Sequence, residues 1–219
     1  MKIQDKKTAI ISGATGLVGE QLLNQLLADP TYGKVIAVVR KKMIMTHEKL
    51  EQRVTDFGQL PGALQGLQAD HGFCCLGTTI KTAGSKEQQY LIDHDYVVDF
   101  AKACRATGVT RFSVVSSIGA SPSSGNFYLR TKGEMEQDLQ KIPFDALFIL
   151  QPSFLMGNRK EYRAGEKIGI AIMKFLKPMM VFGLAKYRGV PAITVARCMV
   201  RVVNSDDHGI NIIRSDKIS

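Results

Sequence analysis

A short apolar run that ends in a glycine loop and opens directly into an amphipathic helix constrains this chain more than any other feature. Residues 8–12 (TAIIS) form the run, and Gly13-Ala14-Thr15-Gly16-Leu17-Val18-Gly19 follows. Residues 17–28 then place Val18, Leu22, Leu23, Leu26 and Leu27 on one helical face before Pro30. A five-residue run bounded by turn residues reads as a buried strand, and the repeat behind it as a helix with one buried face. Between them, glycines at G-x-x-G-x-x-G spacing do three things. One makes a tight turn, one lets the backbone approach a pyrophosphate lying at the helix N-terminus, and one lets the helix pack closely on the sheet. A chain with 20 glycines meets such spacing readily by chance, so the position between strand and helix carries the weight.

The alternation continues along the chain. Apolar runs at 34–40, 53–57, 72–77, 111–116 and 145–150 read as further strands, with helices over 86–107 and 127–140 and a last strand at 210–213. Strands alternating with helices imply an α/β fold, a Rossmann-type doubly wound parallel sheet with helices on both faces. A length of 219 residues suits one domain over 1–219. No Pro/Ser-rich linker precedes 151–219, which is expected to form a small cap on the substrate side.

Composition narrows the classes. Apolar residues at 45% and charged residues at 22% fit a folded globular protein rather than a disordered one. The N-terminal lysines and the early Ser12-Gly13 break leave no secretory core, and no run reaches the length of a membrane span, so a cytoplasmic protein is expected. Cys74, Cys75, Cys104 and Cys198 lack metal-ligand spacing and the four histidines are scattered, so no metal site is expected. The net charge of +9 concentrates in residues 151–219, with 12 basic and 5 acidic side chains. The cations come singly or in pairs without interleaved aromatics, which favours solvated helix faces or an anionic small molecule over nucleic acid.

The end of the second strand bears on the cofactor. A chain that binds NAD usually carries Asp or Glu there for the ribose 2′-hydroxyl. Here the sequence reads Val38-Val39-Arg40-Lys41-Lys42, and Arg40 and Lys41 suit a 2′-phosphate instead. NADP(H) is expected in preference to NAD.

Tyr128-Leu129-Arg130-Thr131-Lys132 puts a tyrosine and a lysine on one helical face, downstream of a strand that ends in Ser116-Ser117. Loop, serine and Tyr/Lys pair in this order resemble the short-chain dehydrogenase/reductase superfamily, and the glycine spacing resembles its extended and atypical branches. The segments Gly72-Phe73-Cys74-Cys75-Leu76-Gly77-Thr78-Thr79, Asp93-His94-Asp95-Tyr96-Val97 and Ser116-Ser117-Ile118-Gly119-Ala120 are similar to the Tat-interacting oxidoreductase family and its bacterial relatives. That family is an atypical, NADPH-binding one.

The resemblance implies roles residue by residue. Tyr128 is the general acid/base toward a carbonyl or alcohol, Lys132 lowers the tyrosine's pKa and bonds the nicotinamide ribose, and Ser117 holds the substrate oxygen, with Ser116 the alternative one step away. Gly13, Thr15, Gly16, Leu17, Val18 and Gly19 surround the pyrophosphate. Asp56 lies at the adenine, with Phe57 beside it in the cofactor-binding set, Leu76, Gly77 and Thr78 line the cofactor, and Pro152, Ser153 and Leu155 pass beside the nicotinamide. Many superfamily members carry asparagine in the helix after the fourth strand, where this chain has Asp93-His94-Asp95.

Two functions follow: an NADP(H)-dependent oxidoreductase, or an NADP(H)-binding redox sensor without turnover. The short segment after the sixth strand argues against a nucleotide-sugar epimerase or dehydratase. Phe154, Met156, Met173, Phe175, Met179, Met180 and Phe182 are candidates for an apolar pocket, with Arg159 or Arg163 at its mouth, although the same spacing serves a buried helix face. The partner is a small molecule, and monomer and homodimer both stay open.

Overall fold

In β1 (Lys7–Ser12), Ile10 faces one core while Ala9 and Ile11 face the other. This period of two, with apolar side chains on both sides, is what a central parallel strand requires. The chain is described by a computed structural model over residues 6–156 and 189–218. It continues through β2 (Tyr32–Val39), β3 (Leu50–Val54), β4 (His71–Cys74), β5 (Arg111–Val115) and β6 (Ala146–Gln151). A short parallel pair, β7 (Leu155–Met156) with β8 (Val190–Pro191), and a last strand, β9 (Gly209–Arg214), complete the set.

Seven strands form one parallel sheet in the order β3-β2-β1-β4-β5-β6-β9. Ile10 pairs with Ile36 and Ile11 with Phe73, so β1 sits between β2 and β4. This is the doubly wound α/β fold, and the order reverses between β1 and β4. Ligands of such sheets bind beyond the carboxyl ends of the strands at that reversal.

Helix α1 (Leu17–Ala28) buries Leu22, Leu23, Leu26 and Leu27, each contributing about 1.5–3 kcal/mol. On the other face lie α2 (Leu60–Leu64), α5 (Tyr96–Ala106) and α6 (Phe127–Leu139), which pack on Ile10, Ile36, Val114 and Ile149. Helices α3 (Ile80–Ala83) and α4 (Lys86–Tyr90) precede α5, and α7 (Ala192–Val203) joins α1 on its face. Within 151–219, α7 therefore belongs to the main core and β9 pairs along β6. No helix among the described residues is long and apolar enough to cross a membrane.

Two departures from the sequence expectation bear on the site and its edges. The third strand spans Leu50–Val54 rather than 53–57, because an edge strand with one neighbour is half-exposed and its LEQRV sequence has no apolar run. The helix expected over 86–107 contains a π-helical turn, Leu91–Asp95, between α4 and α5. Such a turn inserts a residue and rotates what precedes it by about 100° around the helix axis.

At the amino ends of the strands lies a buried polar group. The Tyr32 hydroxyl is hydrogen-bonded to His71 Nδ1 at 2.9 Å and accepts from Asn204 Nδ2 at 3.1 Å, and Lys7 Nζ lies 3.3 Å from His71 Nε2. Burial, reinforced by the charges of Lys7 and Arg111, pushes the His71 pKa down to about 3.

Candidate active site

The three loop glycines are held for different reasons. Gly13 has φ of +79°, and a Cβ on it would stand 2.5 Å from the Cys75 carbonyl carbon and 2.8 Å from Leu76 N. A Cβ on Gly19 would collide with the Gly13 carbonyl. These two serve the turn and the approach of α1 to the sheet. Gly16 is exposed at the N-cap of α1, where its N–H donates to the Gly13 oxygen at 3.0 Å and no side chain caps the helix. The N–H groups of the first turn thus receive no side-chain cap among the described residues, beside a backbone that lacks a Cβ. Thr15 is exposed here and Leu17 half-buried, while Val18 points into the core.

Beyond β2, Arg40, Lys41 and Lys42 are exposed, without an acidic partner among the described residues. Gln52 anchors their loop, accepting from Met43 N at 2.7 Å and donating to the Met45 carbonyl at 2.9 Å. Asp56 is exposed and caps the 3₁₀ turn Phe57–Gln59 through Gly58 N. The Phe57 side chain is committed elsewhere: it is buried and stacks on Tyr96 at 5.1 Å. Only its backbone is left for a ligand.

The carboxyl ends of β4, β5 and β6 converge around α6. Lys132 is 2% exposed, and its Nζ lies 3.3 Å from Asp93 Oδ1, on the π turn. Burial works against the ammonium charge, but Asp93 and the Tyr128 phenol outweigh it and hold the Lys132 pKa above the usual lysine range. Tyr128 is half-buried, and its hydroxyl has no hydrogen-bond partner among the described residues. Gly77 adjoins the pair, since a Cβ there would stand 3.2 Å from Asp93 Oδ1 and 4.0 Å from Lys132 Nζ. Leu76 is half-buried, and Thr78 N donates to Asp93 Oδ1 at 3.1 Å.

The two candidate serines separate clearly. Ser116 is buried and donates to Glu136 Oε1, a carboxylate that also accepts from Gln151 Nε2 at 3.0 Å. Burial keeps the Glu136 pKa raised, although Ser116, Gln151 and Lys132 pull against it. Ser117 is half-buried, with only a 3.4 Å contact to the Ile118 carbonyl. Pro152 is buried and accepts from Ile118 N, Ser153 N donates to Ser215 Oγ at 3.1 Å, and Leu155 packs on the core. Phe154 and Met156 are exposed, whereas Arg159, Arg163, Met173, Phe175, Met179, Met180 and Phe182 lie outside the described residues.

Sequence reasoning missed two contributors, Glu136 and Gly133, and named a third, Asp93, only as part of the Asp93-His94-Asp95 triplet. Glu136 stands four residues after Lys132 on the same face of α6, a repeat that could have flagged it. Gly133 lets α6 close on the loop before it, where a Cβ would collide with the Ser121–Pro122 backbone. Asp93 shares a helical face with the buried Val97 and Phe100, four and seven residues on, a spacing that could have flagged it. Cys74 faces one core and Cys75 the other, both are free thiols, and burial pushes Cys74 up to about 12 and Cys75 well above its ordinary value.

Comparison with known proteins places this arrangement. The model of a family described as NAD(P)H-binding matches residues 13–206. Protein HTATIP2 of Rattus norvegicus is 35% identical over 212 residues, covering 95% of this chain and 85% of that protein. Protein FMP52, mitochondrial, of Candida glabrata is 36% identical over 160 residues, covering 73% of this chain and 69% of that protein. Among solved structures, MoeE5 in complex with UDP-glucose and NAD superposes with a TM-score of 0.68 at 18% identity, over 94% of this chain and 74% of that one. The dTDP-4-dehydrorhamnose reductase of Bacillus anthracis in complex with NADP gives 0.66 at 17%, over 96% and 75%. At such identities these two structures speak for the fold.

Proposed function

Because the chain belongs to the NAD(P)H-binding family, we propose that it is an NADP(H)-dependent oxidoreductase of the atypical short-chain dehydrogenase type. It acts on a carbonyl compound or the corresponding alcohol. The observation that carries the reading is the buried Lys132 ammonium, held charged beside Tyr128 at the carboxyl end of the sheet.

The residues present fit the cofactor. The uncapped N-terminus of α1 with its exposed Gly16 offers N–H donors to a pyrophosphate, together with Gly13, Thr15, Leu17, Val18 and Gly19 around it. Arg40 and Lys41 offer exposed cations where a carboxylate would select NAD, and this favours the 2′-phosphate of NADP(H). Asp56 and the Phe57 backbone would border the adenine. Leu76, Gly77 and Thr78 would line the middle, and Pro152, Ser153 and Leu155 the nicotinamide end. Bound there, NADP(H) supplies or accepts hydride.

The chain's own groups handle the proton. Tyr128 Oη gives a proton to the substrate oxygen during reduction and takes it back during oxidation. The adjacent Lys132 charge stabilises the phenolate that forms and offers a donor to the ribose. Ser117 Oγ, free of a strong internal bond, orients the substrate oxygen. Ser116 is tied to Glu136 and cannot share that task.

Tyr128→Phe tests the reading. It keeps ring packing, so fold and NADPH affinity should change little, while NADPH oxidation with a panel of aldehydes, ketones and quinones should fall by about 10²–10⁴. If the wild type binds NADPH tightly yet oxidises it no faster than Tyr128→Phe with every substrate, the chain is a redox sensor instead. A cytoplasmic location is part of this proposal, and cell fractionation would separate it from the mitochondrial location in the name of the Candida relative.

A further inference from the structure

Asp93 is fully buried on the π turn between α4 and α5. Its Oδ1 accepts from Thr78 N at 3.1 Å and faces Lys132 Nζ at 3.3 Å, while Oδ2 is buried with no hydrogen-bond partner among the described residues. Its acidic neighbour is occupied elsewhere. His94 Nδ1 lies 2.7 Å from Asp95 Oδ1, and His94 Nε2 lies 3.2 Å from Asp138 Oδ2. Of the Asp93-His94-Asp95 triplet, Asp93 supplies the carboxylate that pairs with Lys132.

We propose that Asp93 is a positioning residue, one carboxylate that fixes the Lys132 ammonium beside Tyr128 and ties it to the Leu76–Thr79 loop. The inference rests on the reading of Tyr128 and Lys132 as the acid/base pair. A buried ammonium needs a fixed counter-charge to stay protonated, and an amide at this position would supply a hydrogen bond without the charge. The groups facing Lys132 are Asp93 from the π turn, Tyr128 from its own helix, Cys74 from β4 and Glu136 one turn further on. Glu136 is already bonded to Ser116 and Gln151, so Asp93 is the partner in direct contact. Gly77 makes room for this contact, and Gln89 Nε2 holds the Thr78 carbonyl at 3.4 Å from the other side. The loop expected to line the cofactor and the lysine expected to serve the proton are therefore held by one side chain.

Asp93→Asn separates charge from shape, because the amide oxygen still accepts from Thr78 N. NADPH affinity should stay within about threefold of wild type, since the loop clamp survives. Turnover with the best carbonyl substrate should fall by about 10- to 100-fold, within the usual share of acid–base catalysis. The alkaline limb of the pH–rate profile should move down by about one pH unit, because Lys132 without its counter-charge loses its proton sooner. A second readout needs no substrate. Lys132→Met strands the Asp93 carboxylate and should lower the melting midpoint, and adding Asp93→Asn should recover most of that loss. A wild-type rate and pH profile in Asp93→Asn, or additive melting losses in the double variant, overturns the proposal. A wild-type protein inactive on every substrate overturns the acid/base reading instead, and the melting cycle then decides for or against the pairing.

Discussion

Acid should destabilise this protein through His71. The ring is buried against Tyr32, with the Lys7 ammonium 3.3 Å from its other nitrogen, and its pKa sits at about 3 instead of 6.5. The unfolded chain takes up a proton near pH 6.5 that the folded chain refuses until about pH 3. Stability is therefore flat above that window and falls as the pH drops through it. At about 1.4 kcal/mol per pH unit, going from pH 7.5 to 4.5 removes about 2.5–3 kcal/mol. Carboxylates titrate over the same range. Glu51, held low by the Lys34 hydrogen bond, and Asp138, held low by the Lys141 hydrogen bond, lose stability in the same direction, while Glu136, held high by burial, acts oppositely. The measurement is for that reason a comparison of the wild type with His71→Asn by urea unfolding at several pH values. Asparagine keeps a polar group near the Tyr32 hydroxyl and binds no proton. The variant should start about 1–2 kcal/mol less stable at pH 7.5. It lacks the His71 loss, so the two stability curves should cross between about pH 6 and 5. Curves that fall in parallel would refute the reasoning.

Other predictions concern the cofactor and the thiols. Arg40→Glu should weaken NADPH by about 1.5–3 kcal/mol and leave NADH nearly unchanged, and equal affinity of the wild type for both cofactors would sink the NADP assignment. Gly16→Val should abolish cofactor binding by calorimetry while the protein stays folded, because Gly16 is exposed and has a φ of −80°. Cys74→Ala should lower stability by about 1–2 kcal/mol without removing a redox response, since Cys74 and Cys75 face opposite cores. A reversible Cys74–Cys75 disulfide that switches NADPH affinity would contradict this.

Local sequence was enough wherever one segment's chemistry determined its structure. The run at 8–12 reads as a buried strand because apolar residues fall on both of its sides, Ile10 on one and Ala9 and Ile11 on the other. Gly13 and Gly19 could be assigned to a tight turn and a close approach, and both prove intolerant of a Cβ. The Tyr128/Lys132 step stayed on one helical face, as a period of 3.6 demands. By contrast, β3 was misplaced because an edge strand half in solvent carries no apolar signature.

What only the tertiary structure decided are pairings between distant segments. The sequence left Ser116 and Ser117 as alternatives one register step apart. Burial of Ser116 against Glu136, 20 residues later, separates them. Phe57 was read beside the adenine, yet its side chain went to Tyr96 and the core. Above all, the triplet at 93–95 held two carboxylates of equal standing. The fold buries Asp93 against Lys132 and leaves Asp95 to His94. Helical periodicity sets Asp93 in register with Val97 and Phe100, but it carries no information on Lys132, 39 residues later, so the sequence alone could not pair them.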